Sequence, residues 1–278
     1  MNSALPPLDL HAHIDAGIPA DELRSLGAVV FAATRSLAEA RTALKRHDDL
    51  IVWGVGSHPG MMRSQITFDP AAFRALIEQT AFVSEFGLDG GANVPPERQM
   101  QTLRGALDVL ADEPRITSLH SNRATDRVLD ALGAVPVPGI VLHWWLGSQA
   151  ATERAVDLGC YFSLNAAMFR RTSELRRIPL ERLLTETDHP YGDRVGPEPH
   201  RPGNVLAVEY AVARMHGLES GAVRRLMWRN LSRLVRETKG GHLLNRRIRS
   251  YLIVGGESLR CAAPPVTTFV RRRSRPRV

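Results

Sequence analysis

Histidines and carboxylates stand near the ends of short apolar runs along the first 190 residues of the chain. His11 and His13 close the first run, and their i, i+2 spacing turns both imidazoles to the same side of a strand. Two imidazoles on one side of a strand suit a single metal ion. The full set of candidate ligands, drawn from five runs, is His11, His13, Glu85, His120, His143 and Asp188.

Imidazole and carboxylate ligands together suit zinc, manganese, iron, cobalt or nickel, and magnesium where oxygen dominates. A six-ligand set in which one carboxylate can bridge fits two divalent metal ions about 3.5–4 Å apart, as in metal-dependent phosphodiesterases. The alternative for any single histidine is a packing role in the core. For the whole set the metal interpretation is favoured, because buried imidazoles and carboxylates without partners destabilise a fold.

Eight β-rich runs alternating with stretches of helical spacing predict an α/β fold, a (β/α)8 TIM-type barrel. The runs are nearly continuous in apolar residues, as expected for strands buried on both faces. They are 8–14, 28–34, 51–58, 82–89, 115–120, 139–145, 160–167 and 183–188. In such a barrel the carboxyl ends of all strands face one mouth, where the candidate ligands would converge. The alternative is an open doubly wound sheet, because the connections 15–27 and 168–182 are weak helix candidates.

The spacing of apolar residues also predicts where the helices lie. Ser36 and Glu39 form a capping box that begins a helix after the second run. Further helices are predicted at 97–111, 123–133, 148–158, 204–216 and 220–237. The sequence contains no internal repeat, and we expect one domain over 1–238.

The positive charge is concentrated in the C-terminal part of the chain. The 278 residues contain 36 Lys and Arg against 29 Asp and Glu, a formal net charge of +7. Residues 241–278 carry nine arginines and one acidic residue, so the rest of the chain is near neutral. We predict a basic, flexible tail over 239–278. This tail either holds nucleic-acid phosphates or is an extension without a role.

The sequence favours a cytoplasmic protein that does not associate with a membrane. Its first residues, MNSALPPLDLHAHID, lack the basic and apolar regions of a secretory signal. No apolar run reaches the ~18–20 residues of a membrane helix. The two cysteines, Cys160 and Cys261, cannot build a disulfide framework.

Six segments together resemble the TatD family of metal-dependent nucleases, within the amidohydrolase-like barrel superfamily. They occur in the family's order and are DLHAHID (9–15), GVGSHPG (54–60), SEFGLD (84–89), SLHSNRA (118–124), VLHWWLG (141–147) and LLTETDHPYGD (183–193). The resemblance implies a deoxyribonuclease that cleaves DNA phosphodiester bonds with two divalent metal ions, zinc, manganese or magnesium. It implies one metal site of His11, His13, Glu85 and Asp188 and a second of Glu85, His120 and His143, with Glu85 bridging.

Several segments resemble a more particular group, the TatD-like nuclease of the Qat anti-phage defence system. These segments are VVFAATRSLAEA, VWGVGSHPGM, VLHWWLGS, GCYFSLNAAM, TDHPYGDR and HRPGNV. The resemblance implies a role in anti-phage defence, with other Qat proteins as partners.

Asp188 and Glu85 are the predicted catalytic residues. Asp188 would orient the attacking water and take its proton besides binding a metal ion, and Glu85 would join the two metal sites. Glu186 lies on the same side of its run as Asp188. Its carboxylate either supports a ligand histidine or simply lines the barrel.

Four further residues near the ends of runs are candidate substrate contacts: His58, Arg123, Trp144 and Asn165. His58 and Arg123 could contact phosphate, although in the family the basic residue after the fifth run stands one place earlier than Arg123. The pair Trp144-Trp145 replaces a small polar stretch of the family. The pair could stack on a base, and the alternative is that at least one of the two rings packs under the barrel rim. Asn165 either donates to a substrate oxygen or caps a loop.

Two other functions remain open at the level of sequence. The first is hydrolysis of a small amide or ester on the same barrel. Many such relatives bridge their metals with a modified lysine on the fourth run, where this chain has Glu85 and no lysine. The second is a non-catalytic barrel that binds partner proteins, against which the complete ligand set argues.

Overall fold

The computed structural model describes residues 5–257, which form a parallel β-barrel surrounded by helices. The strands are β1 (Leu8–Ala12), β2 (Val29–Ala32), β3 (Ile51–Trp53), β4 (Phe82–Gly87), β5 (Ile116–His120), β6 (Ile140–His143), β7 (Tyr161–Leu164) and β8 (Leu183–Thr185). The helices are α1 (Ala20–Ser25), α2 (Leu37–Ala43), α3 (Met62–Ile66), α4 (Pro70–Ile77), α5 (Pro96–Asp112), α6 (Thr125–Ala134), α7 (Gln149–Asp157), α8 (Thr172–Leu175), α9 (Leu206–His216), α10 (Ser220–Thr238) and α11 (Arg246–Glu257). The predicted α/β barrel is therefore confirmed.

The barrel closes through two seams. Parallel ladders join β1-β2-β3 and β4-β5-β6-β7-β8. At one seam the Val55 N–H, just after β3, donates to the Phe82 carbonyl at 3.2 Å. At the other seam the Asp188 N–H, just after β8, donates to the His11 carbonyl at 2.8 Å. These bonds exclude the alternative of an open doubly wound sheet, whose edge strands would stay apart.

The predicted run 51–58 is longer than the strand that it contains. After β3 the chain leaves the ladder and passes close to its neighbours at Gly56. A Cβ there would lie 2.5 Å from the Thr34 carbonyl oxygen and 2.6 Å from that of Ser84, so only glycine fits. This close passage brings His58 to the mouth, which we define as the opening at the carboxyl ends of the strands.

Most helices lie within a few residues of their predicted positions. Ser36 caps α2 by accepting a hydrogen bond from the Glu39 N–H at 3.1 Å, which is one half of the predicted capping box. The Glu39 carboxylate accepts from the Arg35 N–H at 2.8 Å instead of from that of Ser36. The connection 15–27, a weak helix candidate in the sequence, contains only the six-residue helix α1. The weak connection 168–182 contains 3-10 turns and the four-residue helix α8.

The first part of the predicted tail is packed structure, which corrects the prediction that flexibility begins at residue 239. Residues 246–257 form α11, which packs against α10. The rings of Trp228 and Tyr251 lie 5.5 Å apart, and Ile248 is fully buried. The packing follows from the apolar side of α11, which the sequence analysis left unassigned. The remaining predicted tail, 258–278, lies outside the described residues.

The hydrophobic core fills the barrel and the space between the barrel and its helices. Phe31 and Phe82 meet edge to face inside the barrel with centroids 5.2 Å apart. Phe73 of α4 packs on Phe86 of β4 at 5.1 Å. Across residues 5–257, every helix is too short or too polar to span a bilayer.

Candidate metal centre

Glu85 is the centre of a histidine cluster at the mouth of the barrel. Strand β4 buries its carboxylate to 2% exposure, and four loops or strand ends point imidazoles at it. The nearest ring nitrogens lie at 3.3 Å (His13 Nε2), 3.2 Å (His58 Nε2), 3.2 Å (His120 Nδ1) and 3.6 Å (His143 Nε2). The structure thus brings His58, predicted as a substrate contact, into the same cluster as the candidate ligands.

Asp188 and His11 complete this cluster on the β1–β8 side. Asp188 Oδ1 lies 3.8 Å from His11 Nε2 and 3.7 Å from His13 Nε2. The ring of His11 stacks on that of His143 with centroids 4.2 Å apart and planes 5° from parallel. Both β1 histidines therefore face the same carboxylates, as their i, i+2 spacing predicts. The ligand cluster hereafter means the six residues His11, His13, Glu85, His120, His143 and Asp188.

The donor atoms of the ligand cluster fit divalent metal ions. Within residues 5–257, His11 Nε2 and Glu85 Oε2 lie 4.0 Å apart and are both buried without a hydrogen-bond partner, a costly arrangement unless another group binds there. Ligand atoms lie within 4.8 Å of one another in three groups: His11, His143 and Asp188; His11, His13 and Glu85; and His58, Glu85 and His120. Imidazole and carboxylate donors in such groups are those that zinc and related ions prefer.

Glu85 is kept ionised by its neighbours. Burial on its own would raise the pKa of this carboxyl, but hydrogen bonds from His120, His143 and His58 lower the pKa well below its usual value. For His120, burial opposes protonation, yet Asp89 at 3.4 Å and Glu85 together raise the pKa to about 9. The lowered pKa of Glu85 thus favours an ionised carboxylate at the centre of the cluster.

Two histidines of the ligand cluster are held in the neutral form that can bind a cation. Burial lowers the pKa of His11 well below its usual value and that of His143 to about 4, so both imidazoles are neutral and keep a free lone pair. Burial and then the charges of Glu186 and Glu85 raise the pKa of Asp188 well above its usual value. A cation among these groups would offset the repulsion between the carboxylates.

Buried polar residues behind the ligand cluster orient its side chains, and most of these residues were not predicted from the sequence. Ser118 Oγ on β5 lies 2.8 Å from His11 Nδ1, which leaves Nε2 turned to the carboxylates. Asp9, fully buried, accepts hydrogen bonds from the N–H groups of Thr187 at 2.8 Å and Gly203 at 2.7 Å. An acidic residue two places before His11 in an apolar strand was a signal for this role. No feature of the sequence indicated the role of Ser118.

Glu186, just after β8, is hydrogen-bonded to the carboxyl ends of β6 and β7. Its carboxylate accepts from the Trp144 backbone N–H at 3.0 Å, from Asn165 Nδ2 at 3.0 Å and from the Ser163 hydroxyl. Burial raises the pKa of Glu186 to about 8. Neither alternative predicted for this residue describes it fully, because its partners are two loops and a neighbouring strand instead of a ligand histidine.

Asn165 does not face the substrate side, which corrects its prediction as a substrate contact. The residue is fully buried, and its Oδ1 accepts from the Ala167 N–H at 3.1 Å while Nδ2 donates to Glu186. Both ends of the amide are committed within the protein. Asn165 therefore caps the turn after β7, the other role predicted for it.

A cavity of about 550 Å³ opens beside the ligand cluster. Arg123, Trp144 and Leu146 lie in its wall together with His120 and His143. Arg123 and Trp144 have positive φ angles of 51° and 43°, uncommon for residues with large side chains. Both are therefore held in place by their surroundings, and both predicted substrate contacts border one cavity.

The two tryptophans of the pair have different positions. Trp145 is buried beneath the rim, where its Nε1 donates to Thr152 Oγ1 at 2.9 Å. Trp144 is half-buried and lines the cavity. The prediction that one of them packs under the rim is confirmed for Trp145.

Fold and site together define a class of protein. A closed parallel barrel with imidazoles and carboxylates gathered at the carboxyl ends of its strands is the architecture of the metal-dependent barrel hydrolases. The chain belongs to the TatD family, since the family model described as TatD related DNase matches residues 8–236.

Similar proteins agree with this assignment, and a solved structure shares the fold. The chain is 33% identical to the 3′-5′ ssDNA/RNA exonuclease TatD of Klebsiella pneumoniae over 50% of this chain and 56% of that protein, so the match spans little more than half of that relative. It is 32% identical to the uncharacterized metal-dependent hydrolase TatD of Mycobacterium tuberculosis over 70% of this chain and 82% of that protein. The fold resembles a TatD homologue from Escherichia coli K12, with a TM-score of 0.70 at 22% identity over 81% of this chain and 97% of that one.

Proposed function

We propose that this protein is a nuclease that hydrolyses phosphodiester bonds of DNA with two divalent metal ions. The observation that carries the proposal is the burial of Glu85 among histidines from four strand ends, beside the second carboxylate Asp188. The exonuclease named among its relatives supports nucleic acid as the substrate class. The absence of a lysine from β4 supports the phosphodiesterase over the amide or ester hydrolase.

Two metal ions would share Glu85. In this proposal His11, His13, Glu85 and Asp188 hold one ion, and Glu85, His120 and His143 hold the other. The grouping of His11, His13 and Glu85 within 4.8 Å supports the first assignment. His58, grouped with Glu85 and His120, is available as a further ligand or as a phosphate contact. Zinc, manganese and magnesium are the ions that we expect.

The side chains of the mouth account for the remaining chemistry. Metal ions bound there would supply a hydroxide near neutral pH and neutralise charge on the phosphate. Asp188 would orient the attacking water and accept its proton, because its carboxylate lies beside His11 and His13, two of the proposed metal ligands. Ser118 orients the ring of His11, and Asp9 joins β1 to the loop after β8, which carries Asp188.

Trp144 and Arg123 are the proposed substrate contacts beside the metal centre. A half-buried indole in the wall of the cavity can stack on an unpaired base, an interaction worth about 1–3 kcal/mol per base. Arg123, an exposed residue in the wall of the same cavity, can pair with phosphate. We expect Trp144→Ala to raise KM for single-stranded DNA by about 10-fold or more while kcat changes little.

The test of the proposed function combines metal analysis with digestion of labelled single- and double-stranded DNA. The purified protein should contain divalent metal and degrade DNA. His11→Ala and Asp188→Asn should abolish metal-dependent hydrolysis while thermal unfolding stays cooperative. Full turnover by either variant would contradict the assigned roles. Turnover of a small amide or ester in place of DNA would favour the other hydrolase class.

We further propose that the nuclease serves anti-phage defence in the cytoplasm, together with other Qat proteins. The segments that resemble the Qat nuclease, among them TDHPYGDR, support this. In cells that carry the whole Qat defence system, His11→Ala should raise phage plating efficiency to the level of cells without that system. Protection by the variant equal to that by the wild type would contradict a catalytic role in defence.

A further inference from the structure

The connection between β7 and β8 carries four arginines beside the mouth. Arg170, Arg171, Arg176 and Arg177 are all exposed, and we call these four the arginine tract. The segment 166–177 contains a single acidic residue, Glu174, so its local charge is strongly positive although the body of the chain is near neutral. Within residues 5–257, Arg171 forms the tract's only ion pair, with Glu174 at 3.6 Å. The guanidinium groups of the other three arginines are thus available to bind a ligand.

The tract is held on a rigid support. Met168, Leu175 and Ile178, which alternate with the arginines, are 1–3% exposed and anchor the segment to the core. Its first turn is capped by Asn165, and the Ala167 N–H donates to the Gly192 carbonyl at 3.1 Å. A fixed backbone lowers the entropy lost when the side chains bind.

The tract begins at the wall of the cavity beside the metal centre. Arg171 Nη1 reaches the Leu146 carbonyl oxygen at 3.5 Å, and Leu146 lines that cavity with His120 and His143. Gly192, to which the segment is bonded, donates its N–H to the Asp188 carbonyl at 2.9 Å. Arg171 therefore lies beside the wall of this cavity, and the other three arginines are exposed on the same segment.

We propose that the arginine tract binds the phosphate backbone of single-stranded nucleic acid and guides the strand to the metal centre. The inference rests on the proposed nuclease function and adds the path of the substrate. Arginine pairs with phosphate through two parallel hydrogen bonds, and successive phosphates of one strand match a row of such groups. The tract supplies the positive field that the near-neutral body lacks.

The test compares two sets of four substitutions. In the tract variant, all four arginines are changed to glutamine. The matched control carries the same change at exposed arginines of other elements: Arg41, Arg98, Arg104 and Arg225. A fluorescent phosphorothioate oligothymidylate of 20 nucleotides is titrated into metal-loaded protein at 50–300 mM salt. Hydrolysis of bis(p-nitrophenyl) phosphate and thermal unfolding are measured in parallel.

The tract variant should bind the oligonucleotide at least about 10-fold more weakly at 100 mM salt. Its slope of log affinity against log salt should fall by about 2 to 3, since each single-strand phosphate contact contributes ~0.7. Its hydrolysis of the small diester and its melting temperature should match the wild type. An unchanged salt slope in the tract variant would overturn the proposal. An equal loss of oligonucleotide affinity in the control variant would also overturn it. Failure of all proteins to hydrolyse the small diester would instead count against the nuclease function.

Discussion

Asp9 and Thr187, 178 residues apart in sequence, are joined by two hydrogen bonds at the barrel seam. The Thr187 N–H donates to Asp9 Oδ1 at 2.8 Å, and its hydroxyl donates to Oδ2 at 2.6 Å. Burial raises the pKa of Asp9 to about 6 although these bonds favour its ionised form. The pair places the β1 histidines beside Asp188.

We expect Asp9→Ala to lower the free energy of unfolding by about 3 kcal/mol, because it leaves the buried donors of Thr187 and Gly203 unsatisfied. Urea denaturation in the presence of a chelator measures this loss without a contribution from bound metal. The control Asp157→Ala changes an exposed carboxylate and should cost less than about 0.5 kcal/mol. Equal urea midpoints of unfolding for the two variants would contradict the role of Asp9 in the seam.

Ser118→Ala should weaken metal binding without unfolding the protein. The hydroxyl lies 2.8 Å from His11 Nδ1, and loss of a partner that orients a ligand histidine costs about 10–100-fold in metal affinity or activity. Titration with zinc against a competing chelator measures the change. Ser173→Ala removes an exposed hydroxyl and serves as the control. Wild-type affinity in Ser118→Ala would show that His11 is oriented by packing alone.

Removal of metal by a chelator should lower the melting temperature, and addition of the metal should restore it. A ligand at 100 times its Kd stabilises the folded state by about 2.7 kcal/mol. Glu85→Gln should abolish this shift, because it removes the charge at the centre of the ligand cluster. Glu97→Gln, at an exposed position of α5, should keep the shift. A full metal-dependent shift in Glu85→Gln would exclude Glu85 from metal binding.

Cys160 should resist alkylation in the folded protein. Burial raises the pKa of its thiol to about 12, so at pH 9 only about one molecule in a thousand carries the reactive thiolate. In a Cys261→Ser variant, iodoacetamide labelling should be slow in buffer, should increase as pH rises towards 12, and should be fast in urea. Rapid labelling of the native protein at pH 8 would contradict the burial of this side chain.

Much of the fold could be predicted from sequence because strands and helices leave local patterns. The apolar runs place all eight strands, and Ser36 with Glu39 marks the start of α2 as observed. The packing of α11 on α10 was missed, because the arginines around Tyr251 mask a short apolar side in a segment that reads as a basic tail. Local charge does not show whether a segment is folded when a few apolar contacts suffice to bind a helix to the core.

The gathering of His11, His13, Glu85, His120, His143 and Asp188 followed from sequence alone, since strand periodicity and the direction of parallel strands decide which side chains reach one end of a barrel. Only the tertiary structure decided which groups touch: that His58 reaches Glu85, that Asp9 bonds to Thr187, and that Asn165 turns inward to Glu186. These contacts depend on how the barrel closes and how each loop bends after its strand. Neither property is encoded in the spacing of residues along the chain.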